Sequence, residues 1–144
     1  MSNTLYERDF YAWTTEQAAL LRAGKLDRLD VENIAEEIES MRRSEKRELV
    51  NRLAVLLTDL LKWRFQPGFR GNSWRLTIEE QRDRLREHLC DSPSLNAHLD
   101  QAIADAYRHA RREGERETGL PRATFPAACP FTRDDVMNED FWPD

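Results

Sequence analysis

Residues 62–75 read KWRFQPGFRGNSWR, a mixture of aromatic and cationic side chains. Trp63 and Trp74 each precede an arginine, Arg64 and Arg75, and Arg70 lies between them. Flat indoles beside guanidinium groups suit single-stranded nucleic acid or a nucleotide, because bases stack on rings while cations neutralise phosphate. The same residues suit a corner between two helices. Trp63 lies three residues past Leu60 on the row Leu49, Leu53, Leu56, Leu60, and Trp74 lies one turn before Ile78. Helical spacing therefore turns both indoles inward. Arginine stems then cover apolar surface while their heads stay wet. The spacing favours the corner, with Trp63 and Trp74 buried together or in one cluster with Phe65 or Phe69. A binding surface of Trp63, Arg64, Arg70, Trp74 and Arg75 is the second reading.

Carboxylates are the next chemistry to weigh. Glu32, Glu36 and Glu39 share one helix edge, with Glu37 beside an apolar row. Such a set raises a carboxylate-based hydrolase at Glu36, Glu37 and Glu39, or a di-iron centre. A di-iron bundle needs Glu-x-x-His motifs projecting inward, and the chain has none. His88, His98 and His109 lack the paired spacing of a helical zinc site. The acidic run reads as a solvated face near a helix start, where the helix dipole favours it. No metal and no cofactor is expected. Nucleophilic motifs are missing too: there is no GxSxG turn, and Cys90 and His88, two apart, face different ways on a helix. Cys129 precedes Pro130 in an apolar stretch and reads as a packed small hydrophobe.

The elements that position these residues read as helices nearly throughout. Tyr6, Phe10, Trp13, Gln17, Leu20 and Leu21 share a face of a helix over 5–23, with Thr4 as cap and Gly24 as stop. Asp30 caps the next, whose apolar row is Val31, Ile34, Ala35, Ile38 and Met41. The row resumes at Leu49 after the charged interval RRSEKRE. One helix over 31–66 would be about 54 Å long, too long for one compact body of this size. The spacing therefore predicts a break near Arg43–Ser44, or a projecting helix that finds a partner. Pro67 stops that helix, Ser73 caps another, and Ser92 with Pro93 opens a third whose apolar face is Leu95, Leu99, Ala102, Ile103, Ala106, Tyr107 and Ala110. Gly119 ends it. Residues 120–144 carry four prolines with Phe125, Phe131, Val136 and Trp142 among them, which predicts an ordered extended strap with a short helix capped by Thr132. No segment alternates as a strand does. The expected fold is an all-α bundle of about four to six helices over 1–119, with a Pro-rich C-terminal strap, in one domain of 144 residues.

Composition bounds the function. Charged residues make up 34% and hydrophobic ones 40%, and the net charge is −5. That suits a soluble domain and argues against a globally basic nucleic-acid binder. Two cysteines without CxxC spacing form no disulfide framework. The start, MSNTLYERDFYAW, lacks a signal-peptide layout, and LAVLL at 53–57 is far too short to cross a bilayer. The expected setting is the cytoplasm, with no membrane contact.

YERDFYAW, LDVENIAEEIESM, RSEKREL, LLKWRFQP, SWRLTIEEQR, DSPSL and ETGLPRATFPAACPFT occur in that order across 6–142. Together they resemble a bacterial family known as domain of unknown function number twenty-nine. The resemblance implies a helical bacterial protein and supplies no activity or catalytic residue. What remains is a non-enzymatic helical protein acting through protein–protein contact or self-association as a homodimer. Nucleic acid is the alternative partner, through residues 62–75.

Overall fold

A computed structural model describes residues 4–144. The described residues form six α-helices and no strand: α1 (Leu5–Arg8), α2 (Phe10–Arg22), α3 (Val31–Phe65), α4 (Asn72–Asp91), α5 (Leu99–Thr118) and α6 (Arg133–Met137), joined by short 3-10 turns. The chain is all-α. It packs as two compact units, Met1–Ser44 and Glu45–Asp144, where the spacing had suggested one bundle over 1–119. The division falls inside RRSEKRE, which offers no apolar side chain to bury.

In the first unit, Asp9 splits the helix expected over 5–23. Its side chain accepts the Ala12 N–H at 3.0 Å and starts α2 afresh. Gly24, at φ +73°, closes α2. The Gly24 N–H bonds to Leu21 and the Lys25 N–H to Leu20, the paired bonds that a left-handed residue permits. Asp30 opens α3 as expected from its type. Its carbonyl accepts from Ile34 at 2.9 Å, and its carboxylate accepts from Trp13 Nε1 at 3.0 Å and Asn33 Nδ2 at 2.8 Å. Trp13 also packs edge-on against Tyr6 and stacks with Phe10. Only Trp13 and Gln17 are buried among the described residues of this unit.

The break expected near Arg43–Ser44 does not occur: α3 is continuous from Val31 to Phe65. Arg, Glu and Lys are good helix formers, and 41–48 contains neither Gly nor Pro. These residues are all exposed, so nothing packs against them to force a kink. A helix of this length is too long for one compact body, and the chain forms two units.

The second unit has a continuous core. Leu49, Leu53, Leu56, Leu57, Leu60 and Leu61 of α3 pack with Ile78, Leu85 and Leu89 of α4, with Leu95 before α5, and with Leu99, Ala102, Ile103, Ala106, Tyr107 and Ala110 of α5. Burying each such leucine is worth about 1.5–3 kcal/mol. The α5 row continues to Gly114, where a Cβ would sit 3.2 Å from the Phe125 ring. A side chain there would crowd the outer edge of the Phe125 ring. Phe125, Phe131 and Val136 are all buried. Thr132 and Asp135 cap α6 reciprocally.

Two helix starts differ from expectation. Helix α4 begins at Asn72 after Gly71, not at a cap by Ser73. Ser92 and Pro93 open a 3-10 segment, Pro93–His98, and α5 begins only at Leu99. There Asn96 Nδ2 donates to the Pro93 carbonyl at 2.9 Å, a local bond that competes with the α-helical ladder.

Candidate functional site

The residues of 62–75 are brought near one another but not into one aromatic cluster. Trp63 is half-buried and meets Trp142, with ring centres 4.7 Å apart. Arg70 lies 5.2 Å from the Trp63 ring, and its Nε donates to the Trp63 carbonyl at 2.7 Å. Its Nη2 donates to the Pro143 carbonyl at 3.2 Å. Trp74 is half-buried elsewhere, under the Lys62 ammonium at 4.8 Å. Lys62 in turn pairs with Asp59 at 3.4 Å and Glu117 at 3.2 Å. Burial pushes the Asp59 carboxyl up, and Lys62 opposes that shift. Phe65 packs edge-on against Phe125 at 5.5 Å, while Phe69 is 72% exposed. The shared cluster expected for Trp63 and Trp74 is therefore replaced by two separate indole sites. The ring that meets Trp63 comes from the C-terminal segment, and the Lys62 that covers Trp74 is held by Glu117, 55 residues on; local spacing reveals neither.

Arginine roles also differ. Arg75 forms an exposed pair with Glu79 at 3.1 Å, Arg64 is exposed beside Phe65, and Arg70 is an internal clamp. The stronger clamp is Arg82, which lies outside the Trp/Arg stretch. It is 1% exposed. Its guanidinium donates to the carbonyls of Asp135 at 3.0 Å, Val136 at 3.0 Å and Phe141 at 2.9 Å. Burial lowers its pKa from the ordinary value. One signal was available: Ile78, Arg82, Leu85 and Leu89 share a row, and an arginine in an apolar row is there to satisfy buried acceptors.

The acidic candidates separate. Glu37 accepts the Tyr6 hydroxyl hydrogen. That bond, then desolvation and the neighbouring carboxylates, pushes the Tyr6 phenol up to about 12. Glu36 pairs with Arg43 at 3.0 Å across an exposed surface, and Glu39 is exposed. Among the described residues, no three of His, Cys, Asp and Glu are placed to hold a metal ion. A groove of about 370 Å³ in the second unit is lined by Tyr107, Arg108, Cys129 and Arg133 among others. Burial raises both its thiol and its phenol, the phenol to about 12. Neither is poised as a nucleophile or base.

The strongest surface feature lies in the first unit. Ten large hydrophobic side chains are exposed among the described residues. Seven of them, Phe10, Tyr11, Leu21, Leu26, Val31, Ile38 and Met41, fall within 4–44. Val31, Ala35 and Ile38 follow one another at i, i+4 and i+7, so they share a face of α3. Val31 is 64% exposed and Ile38 56% exposed. The adjoining face of α3 is occupied: Asp30 is held by Trp13 and Gln17, and Glu37 by Tyr6. Of the row expected to be core, Val31, Ala35, Ile38 and Met41 are exposed and Ile34 is half-buried, so an open apolar face lies beside a packed one. No described helix is long and apolar enough to cross a membrane.

A family model described as Domain of unknown function DUF29 matches residues 5–142. No curated protein and no solved structure matches the chain.

Proposed function

The chain belongs to the DUF29 family, and we propose that it is a protein-contact module rather than an enzyme, docking a protein partner through its first unit. The observation that carries this is the open apolar row Val31, Ala35 and Ile38, in a unit whose described residues bury only Trp13 and Gln17. Exposed apolar surface gathered on one small unit marks an interaction site. The setting is the cytoplasm of a bacterium. Both cysteines are free thiols in keeping with it.

Nucleic-acid binding through Trp63, Arg64, Arg70, Trp74 and Arg75 has less support. Arg70 and Trp63 are engaged with the C-terminal segment and Arg75 with Glu79; among the described residues, Arg64 is the one arginine of the set with no ion pair or hydrogen bond. A hydrolase at Glu36, Glu37 and Glu39 has less again, since Glu37 is engaged with Tyr6 and Glu36 with Arg43.

The test is photo-crosslinking in living cells, with a benzophenone amino acid placed at Val31, at Ile38, or at exposed Arg108 as control. Protein adducts at the first two positions and not at Arg108 are expected. Their absence at both would remove the basis for the docking face.

A further inference from the structure

We propose that the groove between α5 and residues 127–133 binds a small carboxylic acid with an apolar body, its carboxylate held by Arg108 and Arg133. The site lies wholly in the second unit and does not depend on the docking reading above. Its volume is about 370 Å³, near the lower end of the roughly 300–1,000 Å³ of small-molecule sites. That suits a ligand of octanoate's size rather than a nucleotide. One wall is a face of α5, where Asp100, Ile103, Ala104, Tyr107 and Arg108 follow at i, i+3, i+4, i+7 and i+8. The other wall is the C-terminal segment from Ala127 to Arg133. Ile103, Tyr107 and Phe131 are buried and make an apolar floor. Ala104, Ala127 and Ala128 are exposed along the walls, where longer side chains would fill the space.

The polar groups of the groove differ in what they still have to offer. Tyr107 spends its hydroxyl hydrogen on the Pro126 carbonyl, and Cys129 its thiol hydrogen on the Phe131 carbonyl at 3.4 Å. Burial keeps both groups uncharged, raising the phenol to about 12 and the thiol above its ordinary value. The floor therefore offers carbon surface, and polar recognition falls to the charged lining residues. These are two arginines, Arg108 and Arg133, against one acid, Asp100, a net charge of +1 in a chain whose total is −5. Their ion pairs are loose. Arg108 meets Asp105 at 3.2 Å with its own side chain 74% exposed, and Arg133 meets Asp100 at 3.8 Å with the Asp100 side chain 79% exposed. Exposed pairs of this kind contribute little, so either guanidinium can turn to a ligand at small cost. The guanidinium fork matches a carboxylate in two parallel hydrogen bonds. An apolar floor with cations at its edge thus selects an apolar body that ends in a carboxylate.

Titration of the full chain with hexanoate, octanoate, octanol and octylammonium, followed by amide chemical shifts, tests this. Octanoate is expected to shift amides in 103–108 and 127–133. Its affinity should exceed that of hexanoate by roughly threefold to fourfold for each added methylene. Octanol should bind at least roughly tenfold more weakly, and octylammonium should leave these amides unmoved. Arg108→Gln with Arg133→Gln should cost octanoate roughly tenfold and leave octanol unchanged, a split that mere loss of structure would not produce. Ala104→Trp, which fills the groove from α5, should abolish both. Ala127→Trp repeats the block from the other wall if circular dichroism shows that Ala104→Trp has lost helix. Octanol bound as tightly as octanoate, or octylammonium preferred to it, overturns the carboxylate. Shifts confined to 31–41 place the acid on the apolar row of the first unit and overturn the site, as does the absence of any shift at millimolar octanoate. The docking reading stands or falls separately, on the crosslinks at Val31 and Ile38.

Discussion

Arg82 and Arg75 sit two turns apart on α4 and illustrate how little residue type says about energy. Arg82 holds three carbonyls of the C-terminal segment from a site 1% exposed, whereas Arg75 shares an exposed carboxylate. Arg82→Met should lower unfolding free energy by on the order of 3 kcal/mol in urea titration, because buried acceptors lose their donor. Arg75→Ala should stay within about 0.5 kcal/mol. Equal effects would contradict this division. The sequence marked Arg70, Arg75 and Arg64 through their neighbouring tryptophans and missed Arg82, whose only signal is its place in an apolar row. Gly114 carries the same kind of signal, a gap in the α5 row that Phe125 fills. Trp142 could not be assigned to Trp63 at all, since 79 residues separate them and no local period links them. Tyr6 provides a spectroscopic check. Its folded pKa of about 12 lies above the ordinary 10.0. The Tyr6–Glu37 bond therefore supports the first unit fully below pH 10 and is lost as pH rises towards 12. Asp30 works in the opposite sense. Hydrogen bonds from Asn33 and Trp13 hold its carboxyl below 3.8, so its support is present above that value and lost as pH falls. Subtracting the 295 nm alkaline titration of Tyr6→Phe from that of wild type should leave one phenolate step near pH 12; a step near 10 would mean the bond to Glu37 is absent.

Helix α3 is one element with two kinds of surroundings. From Leu49 to Leu61 it carries eight buried residues, and from Val31 to Glu48 it carries none. The periodicity of both halves was visible in the sequence, and so was the charged interval between them. Burial was not visible, because an apolar row records what a helix is able to cover and not whether this chain covers it. The expected break failed for the same reason: with no packing on 41–48, intrinsic propensity alone decides, and those residues favour helix. Helix continuity does not imply uniform stability, since opening free energy follows local packing. Hydrogen exchange should show amides 35–44 exchanging roughly a hundredfold faster than amides 53–61. Uniform protection along α3 would contradict this division.

At the scale of the whole molecule, the two units differ in what they need in order to fold. The core cluster lies entirely within 45–144, drawing on α3, α4, α5 and the segment that carries Phe125, Phe131 and Val136. This segment closes the core of its unit. Phe125 is 1% exposed against Gly114, Phe131 is buried, and the backbone around α6 is held by Arg82. Removing 121–144 therefore takes away two buried aromatics and the acceptors that satisfy Arg82, leaving a buried guanidinium without partners. The expected cost exceeds the roughly 3–5 kcal/mol of a single large aromatic deletion, a large part of the 5–15 kcal/mol total of an ordinary domain. The truncated chain should lose cooperative melting. Removing 1–44 takes away no member of the core cluster. Residues 45–144 should keep a cooperative melt by circular dichroism, since their core stays whole. A 45–144 fragment that unfolds would show that the first unit contributes to the core.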